Sequence, residues 1–227
     1  MEAVILAGGK GRRLLPYTTS FPKPLVPIGE KPIMEILIKQ LADEHIKDIV
    51  LAIGHLGHLL QAYFGDGHRF GVNIKYSMEK KPLGTVGPLD LVKNELDSPF
   101  YVMNGDVLTD ISFNKLMTAH KKSKAICTIG LYQRDVNIDF GVVHMDKNNN
   151  IVKYLEKPTL PNLVSMGIYV FDKQIFQYIR KGKKMDLPDL INLLLKNGKK
   201  VKGYLHKGYW LDIGRVEDYE RACKDIG

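Results

Sequence analysis

The run VILAGGKGRRLLP, from Val4 to Pro16, has the makings of a phosphate site. Gly8, Gly9 and Gly11 free the backbone so that N–H groups can converge, and Arg12 and Arg13 bring guanidinium forks that match phosphate oxygens. Leu6 and Ala7 close the apolar run that leads into the loop. Neither common phosphate loop is present. A dinucleotide turn needs a third glycine where Leu14 stands, and a P-loop needs Ser or Thr after Gly9-Lys10. Pro16 also disfavours helix at Leu15. A plain strand-to-loop turn remains the competing account of the run. Lys23 follows between Pro22 and Pro24. Proline on both sides fixes the backbone and limits where this ammonium can reach. A held lysine beside such a loop can stabilise charge that develops on a phosphate. Two carboxylates complete the set. Asp106 ends the strand-like VMNGD, where ligands of α/β sheets collect. Asp212 lies in GYWLDIG beside the only tryptophan. Magnesium takes hard oxygens, commonly one or two carboxylates with phosphate and water. A turn or cap role is the alternative for Asp106, and a helix N-cap for Asp212. His55-x-x-His58 has metal-like spacing but reads as a half-exposed helix face.

The whole chain bounds what such a site can serve. Its 227 residues, 44% apolar, suffice for one large domain with a packed core. No apolar run approaches the roughly 18 residues of a membrane span. MEAVILAGG lacks a basic n-region, so no signal peptide is expected. Cys127 and Cys223 read as one buried and one surface thiol. A cytoplasmic protein with no membrane contact follows. The net charge of +8 suits a phosphorylated partner. Nucleic acid is not expected, because KKSK (121–124) and RKGKK (180–184) are short and read as solvated helix ends.

These residues need elements to hold them. EAVIL, DIVLAI, VNIKYS and SPFYVMNGD read as strands. KPIMEILIKQLADEH and HLGHLLQAYFG read as helices between them. TVGPLDLVKNEL reads as a helix capped by Thr85, with Pro88 in its first turn. This alternation predicts right-handed crossovers and a mostly parallel sheet. AICTIGLYQ, FGVVHMD, IVKYLEKP and LVSMGIYVF follow at short spacing and read as added antiparallel or mixed strands. Helices at DLPDLINLLLKNG and RVEDYERACKDIG close the chain. The expected fold is α/β, a Rossmann-like mixed sheet flanked by helices, with residues 1–227 as a single domain.

The motifs resemble those of the sugar-1-phosphate nucleotidylyltransferases. LAGGKGRRL…PKPLVP is similar to the family's opening signature, and EKKPLGTVGPL, VMNGDVL, FGVV, LEKP, VSMGIYVF and YWLDIGRVEDY extend the resemblance over nearly the full chain. Arg12 departs from the Thr or Ser usual there, so the two arginines could partly exchange roles. The resemblance implies a glycosyltransferase-A-like fold and transfer of a nucleotidyl group from a nucleoside triphosphate to a sugar 1-phosphate. It implies catalytic roles for Arg13, Lys23 and Asp106. It implies a nucleotide site of Leu6, Ala7, Gly8, Gly9, Gly11, Arg12, Arg13, Lys23, Glu79, Pro82, Gly84, Thr85, Asn104, Gly105 and Asp106. Mg²⁺ would lie on Asp106 and Asp212. Lys157 would bind the sugar phosphate and Glu156 the sugar hydroxyls, with Gly141, Gly167 and Tyr169 around the sugar.

Glu79 stands five residues before Gly84, a spacing like that of the family's base-contacting pair. A carboxylate only accepts hydrogen bonds. Guanine offers two adjacent donors and uracil one, so Glu79 points to GTP. The chain ends after the helix that follows Asp212, which leaves no room for a C-terminal β-helix. That leaves the short class, and the chain resembles the short mannose-1-phosphate and heptose-1-phosphate guanylyltransferases. Uridylyl or thymidylyl transfer is the nearest alternative. A non-catalytic nucleotide-sugar sensor is another, which the intact Lys23, Asp106, Asp212 and Lys157 set disfavours. A glycosyltransferase would typically carry Asp-x-Asp, and here Val107-Leu108 follow Asp106. A homo-oligomer is allowed.

Overall fold

The computed structural model describes residues 1–79, 81–97 and 99–226. Lys80 of the EKK motif, Ser98 before the fourth expected strand and Gly227 at the last helix lie outside them. The chain opens with β1 (Glu2–Ala7), β2 (Pro27–Ile28), β3 (Lys31–Pro32), α1 (Ile33–Asp43), β4 (Asp48–Ile53), α2 (Gly57–Phe64) and β5 (Asn73–Met78). It continues with α3 (Gly87–Val92), β6 (Phe100–Asn104), β7 (Val107–Thr109), α4 (Phe113–Ser123), β8 (Cys127–Asn137), β9 (Val142–Met145), β10 (Ile151–Leu155) and β11 (Thr159–Phe171). It closes with α5 (Leu187–Lys196), β12 (Val201–His206), β13 (Trp210–Asp212) and α6 (Val216–Ile226).

Seven strands form one mixed sheet in the order β12-β8-β11-β6-β1-β4-β5. β1 runs parallel to β4 and β6, and β5 parallel to β4. β11 is antiparallel to both β6 and β8. The first half is therefore the parallel half, as its alternating pattern predicts. β1, β4 and β6 are apolar on both faces because helices cover both, while the edge strand β5 is more polar and exposed. Met34, Leu37, Leu41, Leu60, Phe64, Phe113 and Leu116 pack one face. Val86, Leu89, Val92, Leu187, Leu190 and Leu194 pack the other. Cys127 is buried and Cys223 half-buried, both as free thiols.

Three details differ from the sequence reading. VKGYLH forms β12, which pairs parallel to β8. Its polar alternation and central Gly203 hide it, since an edge strand needs only one apolar face. Two short ribbons, β2–β3 and β7–β13, also carry too few residues for a period to show. Thr85 does not cap α3, whose N-cap is Val86. Its hydroxyl accepts instead from the Leu187 N–H at 2.7 Å and so serves the start of α5.

Candidate active site

The opening loop is shaped by buried anchors. Gly11 adopts φ +61°, a left-handed conformation that favours glycine, and the Thr18 hydroxyl donates to its carbonyl at 2.9 Å. Arg12, Arg13 and Leu14 then make a single 3-10 turn, and Leu15 is extended as Pro16 requires. Leu14 is fully buried against Val26, Ile33, Leu108, Leu211 and Ile213. Burying one leucine contributes about 2 kcal/mol, enough to pin a loop whose two arginines stay exposed.

That loop forms one wall of a cleft of about 730 Å³ at the C-terminal ends of β1, β4 and β6. All fifteen nucleotide positions expected from sequence line it, from Leu6 through Asp106. The cleft also takes Lys10, His55, Lys81, Lys184, Asp186 and Gly214, which sequence reading missed. Lys184 belongs to the RKGKK stretch read as a solvated helix end. It instead reaches the cleft in the turn before α5. No motif or period marks a contact across a hundred residues. The structure makes it through Asp186, whose Oδ1 accepts from the Thr85 N–H at 3.0 Å. Val86 N–H also donates to the Met185 carbonyl at 3.0 Å, so this segment braces the Gly84–Thr85 loop.

Lys23 is nine-tenths buried, and its ammonium pairs with Asp106 Oδ2. The other oxygen, Asp106 Oδ1, is buried without a hydrogen-bond partner among the described residues. Such an orphan is expensive unless a cation or donor meets it in use. Asp212 stands abreast of it. β13 pairs with β7 through Asp212 and Val107, and Ile213 N–H donates to the Asp106 carbonyl at 3.1 Å. Burial raises the Asp212 pKa first, and the nearby Asp106 carboxylate raises it further against the pull of Lys23 and Arg13. No group of three or more His, Cys, Asp or Glu side chains suited to a metal occurs among the described residues. Two neighbouring carboxylates, one with a buried oxygen that meets no partner, still suit a hard cation whose other ligands are phosphate and water.

A prediction follows for Asp212. Its folded pKa lies above the ordinary carboxylate range, so the folded state holds the proton more tightly than the unfolded chain. Its contribution to stability is therefore lost as pH rises through that folded pKa. Asp212→Asn cannot ionise. The variant should melt above the parent at neutral pH, and the gap should close below the ordinary carboxylate range. Melting curves at the two pH values check this; a variant less stable at neutral pH would contradict it.

Glu79 lines the same cleft beside Gly8 and Gly54. Its Oε2 accepts from the Leu83 N–H at 2.8 Å. Its Oε1 lies over Gly8 and Gly54; a Cβ on Gly8 would come within 2.9 Å of it.

The positions expected on the sugar side are spread differently. Gly167 adopts φ +73°, and a Cβ there would reach 2.6 Å from Asn104 Nδ2, so only glycine fits beside this cleft residue. Trp210 donates from its indole to the Met166 carbonyl at 3.0 Å, which ties β13 to the same point of β11. Tyr169 is buried beside Phe171, with its hydroxyl 2.9 Å from Ser165 Oγ. Gly141 lies under the Tyr154 ring, and the Tyr154 hydroxyl donates to Glu156 Oε2 at 3.1 Å. Glu156 and Lys157 are exposed just past the end of β10. None of Gly141, Glu156, Lys157, Gly167, Tyr169 and Asp212 lines the cleft itself.

A sequence profile of nucleotidyl transferases matches residues 2–227. The chain belongs to this family. A UTP–glucose-1-phosphate uridylyltransferase from Synechocystis is 35% identical over the whole chain, which spans 63% of that relative's length. A D-glycero-alpha-D-manno-heptose 1-phosphate guanylyltransferase from Campylobacter jejuni is 35% identical over 96% of the chain and 97% of its own length. The crystal structure of HddC from Yersinia pseudotuberculosis superposes with a TM-score of 0.79 at 25% identity, covering 100% of this chain and 99% of that one. The nucleotidyl transferase fold thus accounts for the mixed sheet and its flanking helices. The described residues contain no β-helix. No helix among them is long and apolar enough to cross a membrane.

Proposed function

We propose that this chain, acting as one domain, joins a nucleoside triphosphate to a sugar 1-phosphate and releases pyrophosphate. The observation that carries the reading is the buried Lys23–Asp106 pair at the floor of the glycine-arginine cleft, with one Asp106 oxygen left unmet. In the reaction an oxygen of the sugar phosphate forms a bond to the α-phosphorus, and the bond from that phosphorus to the α,β-bridging oxygen breaks. The electron pair leaves with pyrophosphate. The nucleophile is already an anion at neutral pH, so no side chain has to take a proton. The chain's work is alignment and charge neutralisation. Arg13, with Arg12, holds the departing pyrophosphate. Lys23 meets the charge that builds on the α-phosphate. Asp106 and Asp212 would hold Mg²⁺, which supplies Lewis-acid neutralisation of the phosphates when bound. Lys157 binds the sugar phosphate, and Glu156, Gly141, Gly167 and Tyr169 shape the sugar side. The two free thiols suit a reducing cytoplasm.

GTP is the proposed nucleotide and a manno- or heptose-type 1-phosphate the proposed sugar. Glu79 supports the base, and the Campylobacter guanylyltransferase supports both. A uridylyl reading draws on the Synechocystis relative. Base preference separates them. With the preferred sugar 1-phosphate, GTP should outrun UTP, dTTP, CTP and ATP. Glu79→Gln replaces one acceptor oxygen with a donor. It should cut kcat/KM for GTP and raise it for UTP, moving the ratio by roughly tenfold to a hundredfold, since a mismatched buried polar pair costs about 1 to 3 kcal/mol. A parent enzyme that prefers UTP or dTTP would overturn the guanylyl reading and leave nucleotidylyl transfer standing.

A further inference from the structure

Reading a base with Glu79 requires that its carboxylate be held at a fixed angle. The backbone of Glu79 is tied to the end of β4, because its N–H donates to the Ile53 carbonyl at 3.3 Å. The carboxylate is oriented from elsewhere. Its Oε2 accepts from the Leu83 N–H at 2.8 Å. Leu83 begins a short loop, 83–86, that lies in no strand or helix and so takes its shape from its neighbours.

The neighbour is the segment that starts α5. Met185 N–H donates to the Leu83 carbonyl at 3.0 Å, and Val86 N–H donates to the Met185 carbonyl at 3.0 Å. Those are main-chain contacts, open to almost any sequence. Two side chains add what is particular to this one. Asp186 Oδ1 accepts from the Thr85 N–H at 3.0 Å, and the Thr85 hydroxyl accepts from the Leu187 N–H at 2.7 Å. Gly84, between them, has φ +78°, and a Cβ there would collide with the Met185 carbonyl and Asp186 Oδ1. The loop therefore has one seat. A relay of hydrogen bonds runs from Asp186 and Met185 through Thr85 and Leu83 to Glu79. Its far end is firm, since Leu187, Leu190 and Leu194 of α5 are buried. A carboxylate accepting from a backbone N–H makes a charge-assisted bond, roughly twice as strong as a neutral one. A loop held this way before the nucleotide arrives loses little freedom on binding. Capping α5 is the plainer use for Asp186. The helix has other support, however: its buried leucines, and Asp189 Oδ2, which accepts from the Asp186 N–H at 3.1 Å.

We propose that Asp186 is a positioning residue for base recognition, seating the 83–86 loop so that Leu83 aims the Glu79 carboxylate. This rests on the nucleotide site proposed above. Calorimetric titration of the full chain with GTP and with UTP tests it, beside steady-state rates and melting curves. Asp186→Ala should weaken GTP binding roughly tenfold to a hundredfold and narrow the preference over UTP about tenfold. The kcat at saturating GTP and the KM for the sugar 1-phosphate should stay near parental. Asp186→Asn keeps an acceptor oxygen and should restore most of the preference. Thr85→Val breaks the same latch from the loop side and should narrow the preference too, which keeps the test decisive if Asp186→Ala does not fold. Asp189→Ala removes support from α5 without touching the loop; it should lower the melting temperature and leave the preference alone. If Asp186→Ala and Thr85→Val both keep the parental preference, or Asp189→Ala narrows it as much, Asp186 is only a helix cap and the proposal is overturned. With a parent that prefers UTP the guanine reading fails, and this one still requires Asp186→Ala to narrow that preference. A parent that binds no nucleoside triphosphate overturns the site and the proposal together.

Discussion

Asp106→Asn is expected to lose turnover on the order of a thousandfold, about 4 kcal/mol of transition-state stabilisation, while keeping the fold. The structure explains both halves. Asp106 Oδ1 has no partner to lose, and Oδ2 faces only Lys23, which an amide oxygen can still accept from. Its backbone carbonyl, which holds Ile213, is untouched. What goes is the charge that, together with Asp212, would hold a cation among phosphates. Metal-dependent turnover and the melting temperature should be measured together. A variant of normal stability should show almost no turnover at any magnesium concentration. Near-parental activity with the usual magnesium dependence would remove Asp106 from the metal site.

Lys23→Ala should divide rate from binding. Pro22 and Pro24 flank the lysine in a 3-10 turn and only about a tenth of it is exposed, so its ammonium is held in place before substrate arrives. A preorganised donor acts most as charge builds at the α-phosphate, and losing one typically costs roughly 3 kcal/mol, on the order of a hundredfold in kcat. Nucleotide affinity should fall much less, because the glycine loop, Arg12 and Arg13 remain. Single-turnover rates and GTP binding, measured on the same preparation, check the split. Equal losses in both would make Lys23 a binding residue only.

That the opening loop and Lys23 would share one cleft was legible because the stretch is local. A strand end, a glycine run and a bracketed lysine fall within twenty residues, and each residue type states its use. VMNGD was readable for the same reason, as an apolar strand ending in polar groups. The contacts of Lys184 and Asp186 were not, because they join segments a hundred residues apart and follow no period. Thr85 shows the same limit. Its spacing suits a cap for α3, but the helix it serves is α5, brought near only by the tertiary fold. Tyr169 is expected on the sugar side by resemblance alone; no local spacing announces that its ring stacks beside Phe171 and its hydroxyl lies 2.9 Å from Ser165 Oγ. The ribbon was the least readable part: FGVVHMD and IVKYLEKP read as strands, but nothing in their pattern says that they pair with each other and stand apart from the seven-stranded sheet.

The most direct test of the account is phosphorus NMR on the unmutated chain with magnesium, GTP and a panel of manno- and heptose-type sugar 1-phosphates. The account predicts pyrophosphate and a nucleoside-diphosphate sugar in equal amounts, formed only when both substrates are present, and reversed by added pyrophosphate. Release of orthophosphate instead, or binding of both substrates with no pyrophosphate across every nucleoside triphosphate tried, would contradict it.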